Sequence, residues 1–420
     1  MVSIYFSLTL EITRPPFELE IKMLHTLPMI QKTWMPRLAF APKNTAPRGD
    51  TLVVVFLRGA ADVLNMVVPH GEDAYYQLRP SLGIARPDDS SAKKEERAVD
   101  LDGFFGLHPN MYPLIDAWTD EQLAIIHACG APDESRSHFK AMELMERGVE
   151  DERGPASGWI GRHLATLNTG NSSPLRAVGM GTNPQRSLSG SVPVSALRSI
   201  VDFHLGGDQQ ALAQMRSALN VVYQNDVMGQ DTLSIMDTLE KLDPLTYQSK
   251  IPYPDSEFGL ALKQTAMLIK AEVGLEVSAI DLGGWDTHFA QGSVNGLMPN
   301  LMKDLAEGLA AFHADMQDHQ NQLTTVTMSE FGRRASENGS LGTDHGHGSM
   351  MMVLGGNVDG GKVHGEWPGM QDGQLIGPGD LAVTTDYRDV LSEVLTKRLN
   401  NPATNEIFPE YQPVMRNVLK

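Results

Sequence analysis

The sequence predicts an α/β protein with a doubly wound, mostly parallel sheet that is flanked by helices. Five short apolar runs recur along the chain and are rich in β-branched residues, and most of them end at glycine. Runs of this kind are typical of strands that are buried on both faces of a sheet. Stretches with helical periodicity separate these runs, and strands that alternate with helices form βαβ units. A helix-rich region at 190–272 interrupts the alternation and is predicted to be a cap or an insertion.

The predicted elements follow one another in a regular order. Strands are expected at 51–57, 123–128, 275–282, 323–328 and 350–354. Helices are expected at 112–121, 137–146, 208–241, 257–272 and 297–318. We therefore expect residues 49–420 to form one domain that contains the helical insertion.

Composition excludes several classes of protein. The chain has 420 residues, of which 41% are hydrophobic and 20% are charged, so it is not largely disordered. Its net charge of −18 argues against a nucleic-acid partner or an anionic membrane surface. Cys129 is the single cysteine, which excludes an intramolecular disulfide and a thiolate-rich zinc site. Any bound metal must therefore use histidine, aspartate or glutamate.

Residues 1–48 differ from the rest of the chain. They contain no apolar run long enough for a membrane span, so we expect no integral membrane segment. The sequence Ala39-Phe40-Ala41 has the small-x-small form that signal peptidase cleaves, but the usual basic and apolar regions are missing before it. The alternatives are a disordered leader and the remnant of an export signal. We favour a degenerate or wrongly assigned export leader.

Candidate metal ligands follow the predicted strands. They are Asp62 after the first strand, Asp286 and His288 after the third, Glu330 after the fourth, and then Asp344, His345 and His347 in a glycine-rich stretch. Ligands of an open α/β sheet bind beyond the carboxyl ends of its strands. Side chains two residues apart in extended chain point the same way. Carboxylate and imidazole suit Zn²⁺, Mn²⁺ or Fe²⁺ better than Ca²⁺, although a hydrogen-bonded Asp/His couple at a turn is the alternative.

A candidate nucleophile lies where the second strand leads into a helix. The hydroxyl of Ser137 would lie at the positive end of the helix dipole, close to free backbone N–H groups. Arg136 could bind phosphate or sulfate through two hydrogen bonds, and His138 is a third candidate catalytic group. The alternative is that Ser135 or Ser137 simply caps the helix.

Several motifs in this order resemble the domain of unknown function 1501 family. They are LVVVFLRGAADVLNMVVPHGEDAYYQLRPSL, FFGLHPNMYPLIDAW, SRSHFKAMELM, GWDTHFAQG, TMSEFGRR, TDHGHG and TTDYRDVL, and they extend over most of the chain after its first fifty or so residues. The family is grouped with the alkaline phosphatase-like superfamily. The resemblance implies a doubly wound sheet, metal-assisted phosphoryl or sulfuryl transfer, and export through a twin-arginine signal.

The resemblance also implies roles for individual residues. Asp62 resembles the metal carboxylate after the first strand, and Ser137 resembles the nucleophile. The ligands of one metal would be Asp286, His288 and His345, with Zn or Mn as the implied ion. Glu330 stands where the superfamily commonly has the Asp of an Asp-His pair for a second metal. Phe331 follows it in place of the usual His, so the second ion is not implied.

The sequence therefore predicts an exported, periplasmic or secreted, metal-dependent hydrolase that crosses the membrane folded. Its substrate would be a phosphate or sulfate ester, either a small molecule or borne on a polymer. The alternative is a non-catalytic metal-binding or assembly protein of the cell envelope that keeps the fold.

Overall fold

The computed structural model describes residues 50–171, 173–198 and 249–420. Its strands in chain order are β1 (Thr51–Leu57), β2 (Val67–Val68), β3 (Val99–Asp100), β4 (Gly106–Leu107), β5 (Leu123–Gly130), β6 (Ala177–Met180), β7 (Ser195–Leu197), β8 (Val277–Leu282), β9 (Leu323–Met328), β10 (Ser349–Leu354), β11 (Lys362–His364) and β12 (Thr385–Asp386). In the described residues nine strands form one sheet, in the order β11-β5-β10-β9-β1-β8-β6-β7, with β12 also paired to β5. The strands β2, β4 and β3 form a separate small sheet.

The large sheet is parallel except at one strand. β1 lies at its centre and pairs in parallel with β8 and β9, with Val53 opposite Ser278 and Thr325. β10 is antiparallel to both β5 and β9. The carboxyl ends of the other strands therefore meet at one edge of the sheet, together with the start of β10. This confirms the predicted mostly parallel sheet.

Helices cover both faces of the sheet. They are α1 (Val63–Met66), α2 (Asp73–Leu78), α3 (Ile115–Thr119), α4 (His138–Arg147), α5 (Trp159–Thr166), α6 (Glu257–Lys270), α7 (Leu297–Asp315), α8 (Tyr387–Lys397) and α9 (Thr404–Ile407). Short 3₁₀ segments lie at Lys94–Glu96, Pro109–Leu114, Arg186–Leu188 and Gln317–Gln322.

The side chains of β1 divide between two apolar cores. Leu52, Val54 and Phe56 join the core that contains residues of α5 and α8. Alternate residues, beginning with Val53, join the core that contains residues of α6 and α7. α7 contributes an apolar stripe at helical spacing, formed by Met298, Met302, Leu305, Leu309 and Phe312. Burial of one such side chain is worth about 1.5–3 kcal/mol, so both faces of the sheet are strongly held. The doubly wound arrangement is thereby confirmed.

One predicted helix differs in the structure, and several short strands were not predicted. The helix expected at 112–121 is a 3₁₀ segment followed by the short α3, and Pro113 lies inside the 3₁₀ segment. Proline lacks an N–H, so Pro113 cannot donate a backbone hydrogen bond inside this segment, and the α-helical turns begin only after it, at Ile115. The short strands β6, β7, β11 and β12 have no predicted counterpart, because two to four residues are too few to produce a recognisable pattern.

Parts of the predicted organisation lie outside the described residues. These are the leader at 1–48 and the helix at 208–241. The structure describes only the two ends of the predicted insertion at 190–272. At one end β7 forms an edge strand of the large sheet, and at the other end α6 packs on β8. None of the helices in the described ranges combines the length and apolar character that crossing a membrane requires.

Candidate metal centre

Loops at the carboxyl edge of the sheet bring three histidines and one aspartate together. His138 begins α4 after β5, Asp286 and His288 follow β8, and His345 precedes β10. The Nε2 atom of His345 lies 2.8 Å from the Nε2 atom of His138 and 2.8 Å from that of His288. We call these four residues the histidine cluster.

The carboxylate of Asp286 faces the same point. Its Oδ1 atom lies 3.1 Å from Nε2 of His288, 3.2 Å from Nε2 of His345 and 3.5 Å from Nε2 of His138. The candidate ligand atoms of His138, Asp286 and His345 all lie within 4.8 Å of one another. The described residues therefore contain a possible metal-binding group.

The other ring nitrogen of each histidine faces a hydrogen-bond acceptor. Nδ1 of His138 lies 2.7 Å from Oε1 of Glu330, and Nδ1 of His288 lies 2.9 Å from Oδ1 of Asp344. Nδ1 of His345 lies 2.8 Å from the carbonyl oxygen of Arg136. Since none of these acceptors can donate in its ionised or carbonyl form, each Nδ1 carries the hydrogen. In a neutral ring the Nε2 atom then has a free lone pair.

Three such lone pairs directed at each other repel unless a cation lies among them. Either a metal ion or a proton satisfies this requirement. Three imidazole nitrogens and one carboxylate oxygen are ligands that suit Zn²⁺ and also occur in Mn²⁺ sites. Metal-binding histidines commonly donate their other N–H to a carboxylate or carbonyl, as all three do here.

Charges around the cluster shift the pKa values of its members. The hydrogen bond with Glu330 raises the pKa of His138, whereas burial lowers the pKa of His345. Burial alone would raise the pKa of Asp286, but the hydrogen bond and charge of Arg333 outweigh it and bring the pKa to about 2. In the absence of a metal, His138 therefore takes up a proton more readily than His345 does.

Arg333 contacts the centre, although it was not among the site residues predicted from the sequence. Its side chain is buried, and its Nη2 atom donates to Oδ1 of Asp286 at 2.6 Å. Its Nε atom donates to the carbonyl of Ala60 at 2.7 Å, and its Nη1 atom to that of Thr343 at 2.9 Å. Arg333 thus joins three loops beneath the cluster. Its position shortly after β9, in the motif TMSEFGRR, is the feature of the sequence that could have indicated this contact with the centre.

Glu330 and Asp344 lie behind the histidines rather than among the Nε2 atoms. The side chain of Glu330 is fully buried, and its Oε1 atom also accepts the backbone N–H of Gly59 at 2.8 Å. Asp344 also accepts from Nδ2 of Asn338 at 3.0 Å. Both were predicted as direct ligands, but these bonds direct their oxygens to Nδ1 atoms. The structure instead adds His138, predicted as a catalytic group, to the candidate ligands.

The structure does not bring Asp62 to the cluster. Its side chain is fully buried, and Oδ2 accepts from Nη1 of Arg79 at 2.6 Å and from Nε2 of Gln291 at 2.5 Å. Its Oδ1 atom has no hydrogen-bond partner in the described part of the chain. A buried carboxylate needs a counter-charge, and Arg79 supplies it in place of a metal.

Ser137, Arg136 and His347 surround the cluster without joining it. Ser137 is exposed at the position before α4, and its hydroxyl makes neither the predicted capping bond nor another hydrogen bond to a described residue. The guanidinium of Arg136 pairs with the buried carboxylate of Asp380. His347 is buried, burial lowers its pKa, and its ring makes no hydrogen bond to a described residue. The predicted pairing of His345 with His347 therefore does not form.

The cluster is open on one side and closed on the other. The side chains of Asp286 and His288 are 46% and 44% exposed, so a ligand can approach them from solvent. On the inner side, the ring of Phe331 lies 4.9 Å from that of His138 and 5.2 Å from that of His345, measured between centroids. Phe331 fills the place in which the resemblance implies a second histidine, and it shields the cluster from the core.

Several solved structures are similar to the chain at low identity, and three of them illustrate the similarity. The first is the C-terminal periplasmic domain of EcEptC from Escherichia coli in complex with Zn, with a TM-score of 0.35, 8% identity and 77% of each chain covered. The second is PsFucS1 sulfatase from Pseudoalteromonas sp., with a TM-score of 0.34, 9% identity, and 88% of this chain and 70% of that chain covered. The third is a protein in the alkaline phosphatase superfamily from Vibrio parahaemolyticus, with a TM-score of 0.33, 9% identity, and 78% and 65% covered. Similarity at this level says nothing about activity.

Sequence comparison gives a firmer assignment. No curated protein matches the chain. The family model described as "Protein of unknown function (DUF1501)" matches residues 50–396, which include every member of the histidine cluster. The chain therefore belongs to the DUF1501 family.

Proposed function

We propose that the protein is an exported, metal-dependent hydrolase of a phosphate or sulfate ester. One divalent ion, Zn²⁺ or Mn²⁺, would bind at the histidine cluster. The observation that supports this most strongly is the convergence of three Nε2 atoms and one carboxylate oxygen, each histidine being held through Nδ1. A bound metal supplies a Lewis acid for the ester oxygens and lowers the pKa of a bound water.

The residues around the ion would have distinct tasks. Glu330 and Asp344 fix the orientation of His138 and His288, because each accepts the Nδ1 hydrogen. Arg333 holds Asp286 in its ionised form and prevents its rotation away from the histidines. These contacts already hold the ligands near one another, and such pre-organisation favours both affinity and catalysis.

Ser137 and Arg136 are the proposed groups on the substrate side. Ser137 lies next to His138 and is exposed, so its hydroxyl can reach solvent and an incoming ester. Arg136 is held by Asp380, and its side chain remains 37% exposed. It would orient the anionic oxygens of the ester. Hydrolysis adds water across the P–O or S–O bond and releases an alcohol with inorganic phosphate or sulfate.

Export is part of the same proposal. It is supported by the Ala39-Phe40-Ala41 sequence in the segment before the DUF1501 match. Cleavage after Ala41 on expression in a bacterial host, detected by mass spectrometry of the periplasmic fraction, tests this part separately.

A non-catalytic metal-binding protein of the cell envelope is the second candidate. Asp62 is paired with Arg79, and the described residues contain one group of three close metal-binding side chains rather than two. A chain that uses two ions for turnover would need a second such group. This observation favours a single ion and is compatible with a protein that binds without catalysis.

Metal content tests the proposed centre. Elemental analysis of the purified wild type should give about one Zn²⁺ or Mn²⁺ per chain, and Asp286→Asn should lose most of it, because one anionic ligand is removed. Asp359→Asn is the matched control, since Asp359 pairs with Lys362 at the surface and should have no effect. Equal metal content in wild type and Asp286→Asn would remove the assignment.

Turnover tests the activity itself. Metal-loaded wild type is tested with 4-nitrophenyl phosphate, bis(4-nitrophenyl) phosphate and 4-nitrophenyl sulfate, beside Asp286→Asn and Ser137→Ala. We expect release of 4-nitrophenol by the wild type with at least one of these esters, and strong loss in both variants. Inactivity on every ester with full metal content would favour the second candidate.

A further inference from the structure

Three exposed apolar side chains belong to the segments that carry the histidine cluster. The described residues contain eight large apolar side chains that are strongly exposed. Phe139 is 87% exposed, Phe289 is 71% exposed and Leu341 is 55% exposed. Single exposed apolar residues are ordinary on a protein surface, and what distinguishes these three is that they lie in the segments of one polar centre. We call these three residues the apolar rim.

Phe289 and Leu341 lie on two loops that are bonded to each other. The backbone N–H of Ala290 donates to the carbonyl of Ser340 at 3.0 Å, and that of Gln291 donates to the carbonyl of Leu341 at 2.8 Å. Leu341 has a φ of 55°, in the left-handed region that L-residues rarely adopt. The fold therefore holds a strained leucine in solvent instead of placing glycine or asparagine at this turn.

Asn338 fixes this part of the rim to the centre. Its Nδ2 atom donates to the carbonyl of His288 at 2.9 Å and to Oδ1 of Asp344 at 3.0 Å. Its Oδ1 atom accepts the backbone N–H groups of Ser340 at 2.9 Å and Gly342 at 3.1 Å. The loop that carries Leu341 is thus attached to a histidine of the cluster and to the carboxylate behind that histidine.

Phe139 belongs to the other side of the centre. It directly follows His138, as Phe289 directly follows His288. The rings of His138 and His288 each contact Nε2 of His345, from different loops. The two exposed phenylalanines are therefore each one residue away from one of the two outer histidines of an open cluster.

The ligand that reaches both the cluster and the rim must be partly anionic and partly apolar. An anionic ester group would bind at the metal, and its alcohol portion would extend over the adjoining surface. The net charge of −18 disfavours an anionic membrane as the occupant of the rim. Aromatic side chains supply a large contact area at low entropic cost, which suits the flat face of a ring.

Resting on the proposed function, we infer that the alcohol portion of the substrate is large and carries a ring or another flat apolar face that packs on Phe139, Phe289 and Leu341. Small esters such as methyl phosphate or methyl sulfate would reach the metal without contacting the rim. Specificity would thus lie in the surface beside the centre rather than in an enclosed pocket.

Calorimetry on the metal-loaded full-length protein tests this inference. The ligands are two matched pairs that cannot be hydrolysed: 2-naphthylphosphonate with methylphosphonate, and naphthalene-2-sulfonate with methanesulfonate. In at least one pair, the naphthyl ligand should bind about tenfold or more tightly than the methyl ligand, from the added apolar contact. Phe139→Ala and Phe289→Ala should each reduce this ratio several-fold, and the double variant should bring it close to one. Tyr112→Ala, an exposed aromatic residue on the 3₁₀ segment Pro109–Leu114, should leave the ratio unchanged.

The outcomes separate this inference from the proposed function. With metal bound, equal or undetectable affinity within both pairs overturns the inference and leaves the metal centre intact. A naphthyl preference that survives in the double variant also overturns it. A wild-type protein that binds no metal overturns the proposed function, and the inference with it.

Discussion

The ring nitrogens of each clustered histidine have partners of two different kinds. The Nδ1 atoms of His138 and His288 meet carboxylates, and that of His345 meets a carbonyl, whereas the Nε2 atoms of His138 and His288 each lie 2.8 Å from the Nε2 atom of His345. The acceptors behind the rings therefore determine which nitrogen is available to a cation. The two carboxylates differ in environment: the side chain of Glu330 is fully buried, and that of Asp344 is 42% exposed.

The buried acceptor should matter more than the exposed one. We expect Glu330→Gln to lower metal affinity by about 10–100-fold, because it removes a buried negative charge that increases the basicity of His138. Asp344→Asn is the matched control, and its loss should be smaller since water screens an exposed carboxylate. Competition against a chelator of known affinity measures both. An effect of Asp344→Asn as large as that of Glu330→Gln would contradict this interpretation.

At the scale of elements, the centre depends on how closely the loops after β1 and β8 approach. Gly59 has a φ of 115°, and a Cβ atom at this position would lie 2.6 Å from the backbone nitrogen of Asp286. No side chain fits there without moving the loop that carries Asp286. The hydrogen bond from the N–H of Gly59 to Glu330 places the same peptide beside a second part of the centre.

Gly59→Ala should therefore reduce metal binding at the centre as well as stability. The loss should be larger than the strained backbone at this position would cause by itself. We expect lower thermal stability and a clear loss of bound metal, measured by calorimetry and elemental analysis. Gly103→Ala is the matched control, since Gly103 also has a positive φ of 86° but a Cβ atom there would meet nothing within 4 Å. Its stability should fall only by about 1 kcal/mol, the usual cost of a strained backbone, with full metal content. Normal metal content in Gly59→Ala would exclude a tight approach of the loops.

The long elements and part of the centre could be predicted from the sequence. β1 and β9 have the predicted bounds, because short runs rich in β-branched residues mark buried parallel strands clearly. The spacing of Asp286 and His288 also correctly indicated that their side chains lie together. In contrast, no local pattern shows that Asp62 meets Arg79, since that pairing depends on the path of the chain between them.

The roles of the individual side chains in the centre were harder to predict. Whether Glu330 faces a metal or the Nδ1 atom of His138 depends on how α4 packs against β9 and its following loop. His345 and His347 have the same spacing as Asp286 and His288, yet His347 is not among the side chains whose ligand atoms lie close together. Spacing predicts a shared direction only in extended chain, and the chain bends at His347.

At the scale of the whole molecule, buried histidines dominate the expected response to acid. His108, His127 and His163 are at most 2% exposed, and burial lowers the pKa of each to about 4. Each is therefore neutral in the folded protein at pH values where the unfolded chain, with an ordinary pKa of about 6.5, is already protonated. These groups lie away from the proposed ligands, so their effect is on stability.

The free energy of unfolding should fall as the pH decreases from about 6.5 towards 4, because the unfolded state binds protons that the folded state does not. One such histidine contributes a slope of up to about 1.4 kcal/mol per pH unit in this window, and above pH 6.5 its contribution is constant. Urea unfolding at intervals between pH 7.5 and 4.5, with a chelator present to remove the contribution of metal, measures the slope. His163→Gln keeps an acceptor for Asn401 and removes one titrating group. It should therefore reduce the slope by the contribution of about one proton, whatever its effect on stability at pH 7. A slope that is the same in this variant and in the wild type would show that His163 is protonated in the folded protein, contrary to the effect of its burial.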